Sequence, residues 1–380
     1  MSDALPETIL QFGAGNFLRA FADLFIHQAN TQGQAVGRIV VVQSTGDGRA
    51  NLLNQCGGRY HVVVRGLESG QTVDRIEEVA SISRALFAST QWEDILAVAT
   101  TPELKFVLSN TTEAGYKLDE SDLVLCQHSP GPAPKSYPGK LTAVLHARYR
   151  AGQPGVTVMP CELIEDNADK LLALVMSLGE AWKLPTAFLH WASHECVWLS
   201  SLVDRIVPGK PDDHPLLASD PLLLMAEPYS LWALQTKPNA ARFADHPAII
   251  RTADVKPYFL RKVRILNGAH TALLSKVGLS RFETVREALD DDATRAWLEQ
   301  LLFTEIVPTL MGRCDGPEEF ARQTIERFRN PFLRHRLADI ALHHTAKKDV
   351  RLVPTHGEFK AKFGRVPPIL DEVLKLPNPA

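Results

Sequence analysis

Residues 8–21 read TILQFGAGNFLRAF, and the change of rhythm inside them decides the fold. TILQF (8–12) is a short apolar run of the length of a buried strand. Gly13 and Gly15 follow at once. From Asn16 the pattern predicts a helix over 16–32. A strand that passes through a G-x-G turn into a helix opens a dinucleotide fingerprint. Gly13 allows the tight turn, and Gly15 lets the backbone approach a pyrophosphate lying on the free N–H groups of Asn16 and Phe17 at the helix start. The third glycine is absent, since Leu18 stands in its place. The turn by itself therefore also fits a plain β–α connection.

Working outward, RIVVVQS (38–44), LKFVLSN (104–110), GVTVMPCE (155–162) and TAFLHWAS (186–193) read as further strands, and 166–184 as a helix. Such alternation predicts a parallel sheet covered on both faces. The segment 206–221 is rich in Pro and Asp and reads as a loop. Beyond residue 250 strand-like runs become scarce. Helical periodicity takes over at 256–277, 283–312, 317–328 and 331–347. The expected architecture is α/β: a Rossmann-type doubly wound sheet domain (1–250) followed by an all-helical domain (251–380). The proline-rich tail from Gly364 is expected to be loosely held.

The second predicted strand runs into QSTGDGR (43–49), with no Asp or Glu closing it directly. Asp47 comes slightly late for the ribose acid of a dinucleotide site. Gln43 or Ser44 could meet the ribose instead, and Arg49 could face a 2′-phosphate, so NAD is favoured over NADP only modestly. Asn110, Thr112 and Glu113 lie at another predicted strand end, where such folds place ligands.

The 380 residues carry a formal net charge of -3, which gives no reason to expect nucleic acid as a partner. No apolar run is long enough to span a bilayer, and no basic, apolar leader is visible at the N-terminus. Cys56, Cys126, Cys161, Cys196 and Cys314 are scattered, without a C-x-x-C pair. This argues against a disulfide framework or a zinc site and for a cytoplasmic setting. Cys161 and Cys196 are read as small buried hydrophobes rather than reactive thiols.

RKVRILNGAH (261–270) opens the first helix of the second domain. Wound at about 100° per residue, Arg261, Arg264, Gly268, Thr271 and Ser275 form one stripe, expected to be solvated. Val263, Leu266, Leu273 and Leu274 fall opposite, and Lys262, Asn267 and His270 fall among those leucines. A desolvated lysine suits proton transfer near neutral pH. Asn267 and His270 could both donate to one substrate oxygen. Other readings stand beside this one: Lys262 snorkelling outward, Asn267 bonding a loop carbonyl, His270 a satisfied core histidine.

With these residues in view, the chain resembles the mannitol dehydrogenase family of polyol and aldonate dehydrogenases. The matching stretches are LQFGAGNFLRAF (10–21), VVVQST (40–45), LSNTTEAGY (108–116), PGKLTAVL (138–145), MPCELIEDNADKL (159–171), SLVDRIVPG (201–209), AEPYSLWAL (226–234), RKVRILNGAHTAL (261–273) and RFRNPFLRH (327–335). Within the family the likeness is strongest to members that interconvert tagaturonate and altronate. The resemblance implies an N-terminal Rossmann-type domain, an all-helical C-terminal domain, a site between them, NAD as cofactor and no metal. It makes Lys262 the general acid/base and gives Asn267 and His270 the reacting oxygen.

The same likeness implies a sugar acid or polyol as substrate and a monomer or small homo-oligomer. Leu163 stands where many mannitol dehydrogenases carry an asparagine, a departure that the tagaturonate-reducing members share; Asn167 nearby reads as a capping or packing residue. Family members usually continue past the last residue here, which implies further terminal helices. AKKDVRLVP (346–354) departs from the family's usual version but keeps Lys347. A uronate carboxylate needs a cation, for which Lys140, Arg327, Arg329, Arg334 and Lys347 are candidates. Glu227 and Tyr229 are weaker site candidates. The alternatives are a fructuronate, mannitol or phosphorylated-polyol oxidoreductase on the same scaffold, or an NAD(H)-binding sensor without chemistry.

Overall fold

A computed structural model describes residues 4–46, 48–111, 113–124 and 131–378, with only the backbone of Glu113 and Ala114. The chain divides into two compact units. Unit 1 is residues 1–63, 76–226 and 230–255; unit 2 is residues 64–75, 227–229 and 256–380.

Unit 1 is built on a parallel sheet. Its strands are β1 (Glu7–Phe12), β2 (Arg38–Gln43), β5 (Ile82–Phe87), β6 (Phe106–Ser109), β7 (Thr157–Pro160) and β8 (Val197–Trp198), in the order β5–β2–β1–β6–β7–β8. All the pairings are parallel. The sheet order reverses beside β1: the chain moves outward through β2 and β5, then returns to β6 on the other side. Such a reversal opens a crevice at the carboxyl ends of β1 and β6. β1 and β2 are buried along almost their whole length, as strands covered on both faces are. The covering helices include α3 (Arg49–Gln55), α4 (Trp92–Ala99), α5 (Tyr137–Arg150) and α6 (Asn167–Ala181). Leu141, Val144, Leu171 and Val175 join Leu10, Val40, Val107 and Val158 in one core.

Strands β3 (Tyr60–Glu68) and β4 (Gln71–Val79) form a ribbon extended by β10 (Leu224–Ala226). A small sheet of β9 (Ser201–Asp204), β11 (Leu231–Gln235) and β12 (Ile249–Thr252) completes the strands.

Two helix expectations change here. The helix expected over 16–32 is a single turn, α1 (Asn16–Arg19), followed by a separate α2 (Ala22–Thr31). The break has a cause: the Arg19 carbonyl accepts the Tyr60 hydroxyl at 2.8 Å. Residues 186–193 are not a strand but the helix α7 (Thr186–His194). Phe188, Trp191 and Ala192 are its buried positions, at helical spacings of three and four, and the strand comes later as β8.

Unit 2 is helical. A continuous helix runs from α8 (Lys256–Arg261) through a π-turn (Lys262–Asn267) into α9 (Gly268–Val277). The stripe expected to be solvated is buried: Thr271 is 0% exposed, Ser275 8% and Arg264 9%. Residues 263–275 are buried all round, so the polar stripe there is satisfied internally. Arg264 donates to Thr355 and Glu358, Arg351 to Thr271, and Ser275 meets His344 at 2.9 Å.

The long helix expected over 283–312 is several. Asp291 caps α11 (Asp292–Leu301) through the Thr294 amide, which separates it from α10 (Val285–Asp290). A second π-turn (Leu302–Ile306) leads into α12 (Val307–Leu310). After α13 (Pro317–Phe328), the stretch 331–347 holds only α14 (Leu337–Ala341) and the start of α15 (His344–Arg351). α16 (Val353–Phe363) and α17 (Pro368–Lys375) follow. The tail is therefore anchored: Leu370 and Val373 are fully buried, and the Ile369 and Leu370 amides donate to the Glu305 carboxylate.

Candidate active site

The glycine turn of unit 1 sits at the topological reversal. Gly13 has φ +126°, and a Cβ there would stand 3.1 Å from the Asn110 carbonyl oxygen. Glycine is thus required twice, by the backbone conformation and by the approach of the loop after β6. Gly15 is different. Its φ is -70°, and a Cβ would meet nothing within 4 Å. The space beside it is open, as a backbone that receives a ligand requires. Because α1 has only one turn, its unbonded amides rather than a long helix dipole must carry an anion there.

A cavity of about 720 Å³ opens over this turn. Gly13, Gly15, Asn16, Gln43, Ser44 and Asn110 line it. Gln43 is hydrogen-bonded within its own loop. It accepts from the Ala50 amide at 2.6 Å and donates to the Thr45 carbonyl at 2.9 Å, and so shapes the loop that follows β2. Asn16 accepts from Arg19 and Arg49 at 2.8 and 2.7 Å. Asn110 donates to the Cys161 carbonyl at 2.7 Å. Phe17 does not line the cavity; its ring stacks on Phe21, leaving only its backbone amide to the turn. Thr112 and Asp47 lie outside the described residues, as does the Glu113 side chain.

The supports of this cradle were not legible as motifs. The Glu162 carboxylate accepts the Thr111 amide and hydroxyl at 2.9 and 3.0 Å and the Ser109 hydroxyl at 3.0 Å, fixing the end of β6. Gln11 links the Gly13 carbonyl to buried Asp23. Burial raises the Asp23 carboxyl to about 7, against the opposing influence of Gln11, Arg19 and Tyr60. Asn167 is structural: it donates to the carbonyls of Pro160, Glu162 and Ser201. Cys161 and Cys196 are buried. Desolvation raises both thiols, Cys196 to about 12, which makes them poor nucleophiles.

Unit 2 gathers the second set of residues. Lys262 opens the π-turn, half-buried, and Asn267 closes it. A π-turn widens the helix by one residue and recurs at functional sites. His270 lies one turn further on. Asn267 and His270 are 8% and 6% exposed.

The His270 ring stacks on Phe328 with centroids 4.0 Å apart, and His335 meets it edge-on at 4.5 Å. Its Nε2 is buried and has no hydrogen-bond partner among the described residues. Burial first, then its coupling to His335 and the positive charges of Arg351, Arg327 and Lys347, hold its proton affinity well below the ordinary imidazole value. His270 is therefore a neutral imidazole at physiological pH, able to donate one hydrogen bond from Nε2 in the corresponding tautomer.

Two of the candidate carboxylate-binding cations, Arg327 and Lys347, lie near enough to His270 for their charges to act on it. Arg327 is buried and already engaged: it grips Glu227 with Nη2 and Nε at 2.7 and 3.0 Å, its guanidinium 4.1 Å from the Tyr229 ring centroid. Glu227 and Tyr229 thus serve Arg327. Arg334 pairs with Glu283 on the surface, and Lys347 donates to the Ile340 carbonyl. Arg329 lines a separate cavity of about 540 Å³ with Arg286 and Arg322. Lys140 belongs to unit 1, in the cavity over the glycine turn.

Among the described residues no group of His, Cys, Asp and Glu could hold a metal ion, and no helix is long and apolar enough to cross a membrane.

Comparison with known proteins agrees with this geometry. Residues 7–245 match the model of the mannitol dehydrogenase Rossmann domain, and 254–365 that of the mannitol dehydrogenase C-terminal domain. The altronate oxidoreductase of Halalkalibacterium halodurans is 39% identical, over 97% of this chain and 74% of its own. That of Bacillus subtilis is 37% identical, over 95% and 77%.

Two solved structures share the fold. Pseudomonas fluorescens mannitol 2-dehydrogenase, in ternary complex with NAD and D-mannitol, superposes with a TM-score of 0.84 at 22% identity, covering 98% of this chain and 79% of that one. A D-sorbitol dehydrogenase in substrate-free form gives 0.80 at 24% identity, covering 95% and 78%. A strand–glycine-turn cradle followed by a helical unit carrying Lys262, Asn267 and His270, matched by both domain models, places this chain in the mannitol dehydrogenase family of oxidoreductases.

Proposed function

We propose that the protein is an NAD-dependent oxidoreductase that interconverts tagaturonate and altronate. In this reading residues 1–250 form the dinucleotide-binding domain and 251–380 the catalytic, substrate-binding one. The observation that carries it is the Lys262, Asn267 and His270 set on one helix, with the His270 Nε2 buried and unpartnered. Most buried polar atoms are hydrogen-bonded, so an unpartnered ring nitrogen on the helix of Lys262 and Asn267 is available to a ligand. The substrate class rests on the curated relatives, whose name is altronate oxidoreductase.

The glycine cradle fits a dinucleotide: Gly15 faces open space, Gly13 is held by its conformation, and the α1 amides are free to meet a pyrophosphate. When bound, NADH supplies the hydride. In the reducing direction Asn267 and His270 each donate a hydrogen bond to the keto oxygen and stabilise the negative charge that develops on it. Protonated Lys262 then donates its proton to that oxygen. In the oxidising direction neutral Lys262 takes the proton from the hydroxyl. His270 must stay neutral for this, and its buried, cation-flanked position keeps it so. Sharing the proton work between Lys262 and two neutral donors avoids two positive charges on one buried oxygen.

The expected result for Lys262→Ala is loss of turnover by at least about 10³-fold, in the range attributed to acid–base groups, with NADH binding retained. Turnover within tenfold of the parent protein would remove Lys262 from the mechanism. An NAD(H)-binding sensor without chemistry is the less favoured reading, because it gives Lys262, Asn267 and His270 no task.

A further inference from the structure

Among the buried cations that the chemistry at Lys262 does not use, Lys140 faces a cavity. Lys140 lies in the first turn of α5 and is 4% exposed, yet it lines the cavity over the glycine turn. Its ammonium donates to the Lys135 carbonyl at 2.6 Å and has no carboxylate within ion-pair distance among the described residues. Asp122, whose charge acts on it, is spent elsewhere. Its oxygens accept the Lys135 amide, the Ser136 amide and the Ser136 hydroxyl, at 2.7, 2.7 and 2.5 Å. Asp122 thus fixes the loop whose Lys135 carbonyl in turn steers Lys140.

A charge so placed is costly. Desolvation lowers the Lys140 proton affinity, against the opposing pull of Asp122. Buried ammonium groups are ordinarily paired. The arrangement makes sense if the partner arrives with a ligand. The rest of the cavity says what kind of ligand. One wall is the glycine turn, where Gly15 faces open space, and Lys117, Lys135 and Arg49 also line it, against Asp119 as the acid among the described lining residues. Anionic oxygens are what such a wall receives.

We propose that Lys140 is a cofactor-binding residue whose ammonium pairs with a phosphate of the dinucleotide, opposite the glycine turn. This rests on the reading of unit 1 as the NAD-binding unit. It also takes Lys140 out of the set of cations available to a substrate carboxylate. Asp122, Lys135 and Ser136 are then positioning residues that hold the ammonium in place.

The test is equilibrium binding of NADH and of ADP-ribose, which keeps the pyrophosphate and lacks the nicotinamide, to the full chain and to Lys140→Met and Lys140→Arg. Lys140→Met is expected to weaken both ligands by a similar factor, roughly 10- to 100-fold, the loss of one charge-assisted hydrogen bond. Lys140→Arg is expected to recover most of that loss. The Michaelis constant for the keto acid, measured at saturating NADH, is expected to stay within about twofold, since Lys140 touches only the cofactor.

Unchanged NADH and ADP-ribose binding in a folded Lys140→Met protein would overturn the proposal. So would a raised Michaelis constant for the keto acid alone, which would make Lys140 a carboxylate-binding residue. Should Lys140→Met fail to fold, Lys140→Gln read with the same two ligands decides the question. Failure of the parent protein to bind NADH would be a failure of the cofactor reading itself.

Discussion

Removing Glu227 should cost far more than its single ion pair suggests. Glu227 and Arg327 are 1% and 3% exposed at their side chains and joined by hydrogen bonds of 2.7 and 3.0 Å. Replacing one partner of such a buried pair strands the other charge in a low-dielectric interior, a loss of about 3–5 kcal/mol. Glu227→Ala is therefore expected to destabilise unit 2 by that amount, and Arg327→Met somewhat less, because a stranded glutamate can take up a proton and neutralise itself. The double change Glu227→Met with Arg327→Met should lie within about 1–2 kcal/mol of the parent protein, since apolar residues of similar volume replace a buried pair at little net cost.

Urea unfolding by far-UV circular dichroism of Glu227→Met, Arg327→Met and the double variant, combined as a double-mutant cycle, measures this. The coupling should be at least about 2 kcal/mol. The pair also anchors the end of α13, which carries Phe328, the ring stacked on His270. Glu227→Ala should accordingly lower turnover more than it weakens NADH binding. A destabilisation below about 1 kcal/mol, or single losses that simply add in the double variant, would refute the reasoning.

The two glycines of the turn should separate cleanly. Gly13→Ala meets the Asn110 carbonyl at 3.1 Å with φ +126°, so it should cost about 1–3 kcal/mol of stability and weaken NADH binding as well. Gly15→Ala meets no protein atom within 4 Å. It should leave the melting temperature nearly unchanged while NADH titration shows weaker binding. Acid should destabilise the protein between pH 7 and 5. His246, His335 and His344 are lowered to about 4, burial being the main cause in each. The unfolded chain, with ordinary imidazoles, gains protons first as pH falls through 6.5, so stability is present above that pH and lost below it. The loss approaches about 2 kcal/mol per fully buried ring by pH 5, less where solvent screens. Asp23, raised to about 7, acts in the opposite direction in unit 1. Unit 2, which holds His335 and His344, should therefore show the steeper acid loss by hydrogen exchange at pH 5 against pH 7.

The sequence carries the site better than it carries the packing around it. The glycine turn, β1, β2 and the helix of Lys262, Asn267 and His270 are legible because each is a local signal: a period, a turn chemistry or a spacing. TAFLHWAS misleads because so short a mix of apolar, small and polar residues fits either period, and only the burial of Phe188 and Trp191 on one face settles it as α7. The solvated stripe on the Lys262 helix fails for a different reason. Arg264, Thr271 and Ser275 look exposed by composition, yet Glu358, Arg351 and His344 arrive from residues some 70–95 positions away to satisfy them. The π-turn at Lys262–Asn267 has no sequence signal at all. The pairing of Arg327 with Glu227, and the placing of Lys140 over the glycine turn, likewise belong to tertiary structure.

The central claim is tested most directly by NADH oxidation by the purified protein with tagaturonate, set against fructuronate, fructose and fructose 6-phosphate, with NADPH as the control cofactor. The account predicts turnover that is selective for tagaturonate with NADH. Preferred turnover of fructose, fructuronate or fructose 6-phosphate would contradict the proposed substrate, and NADH binding with no turnover of any of them would contradict the proposed chemistry of Lys262, Asn267 and His270.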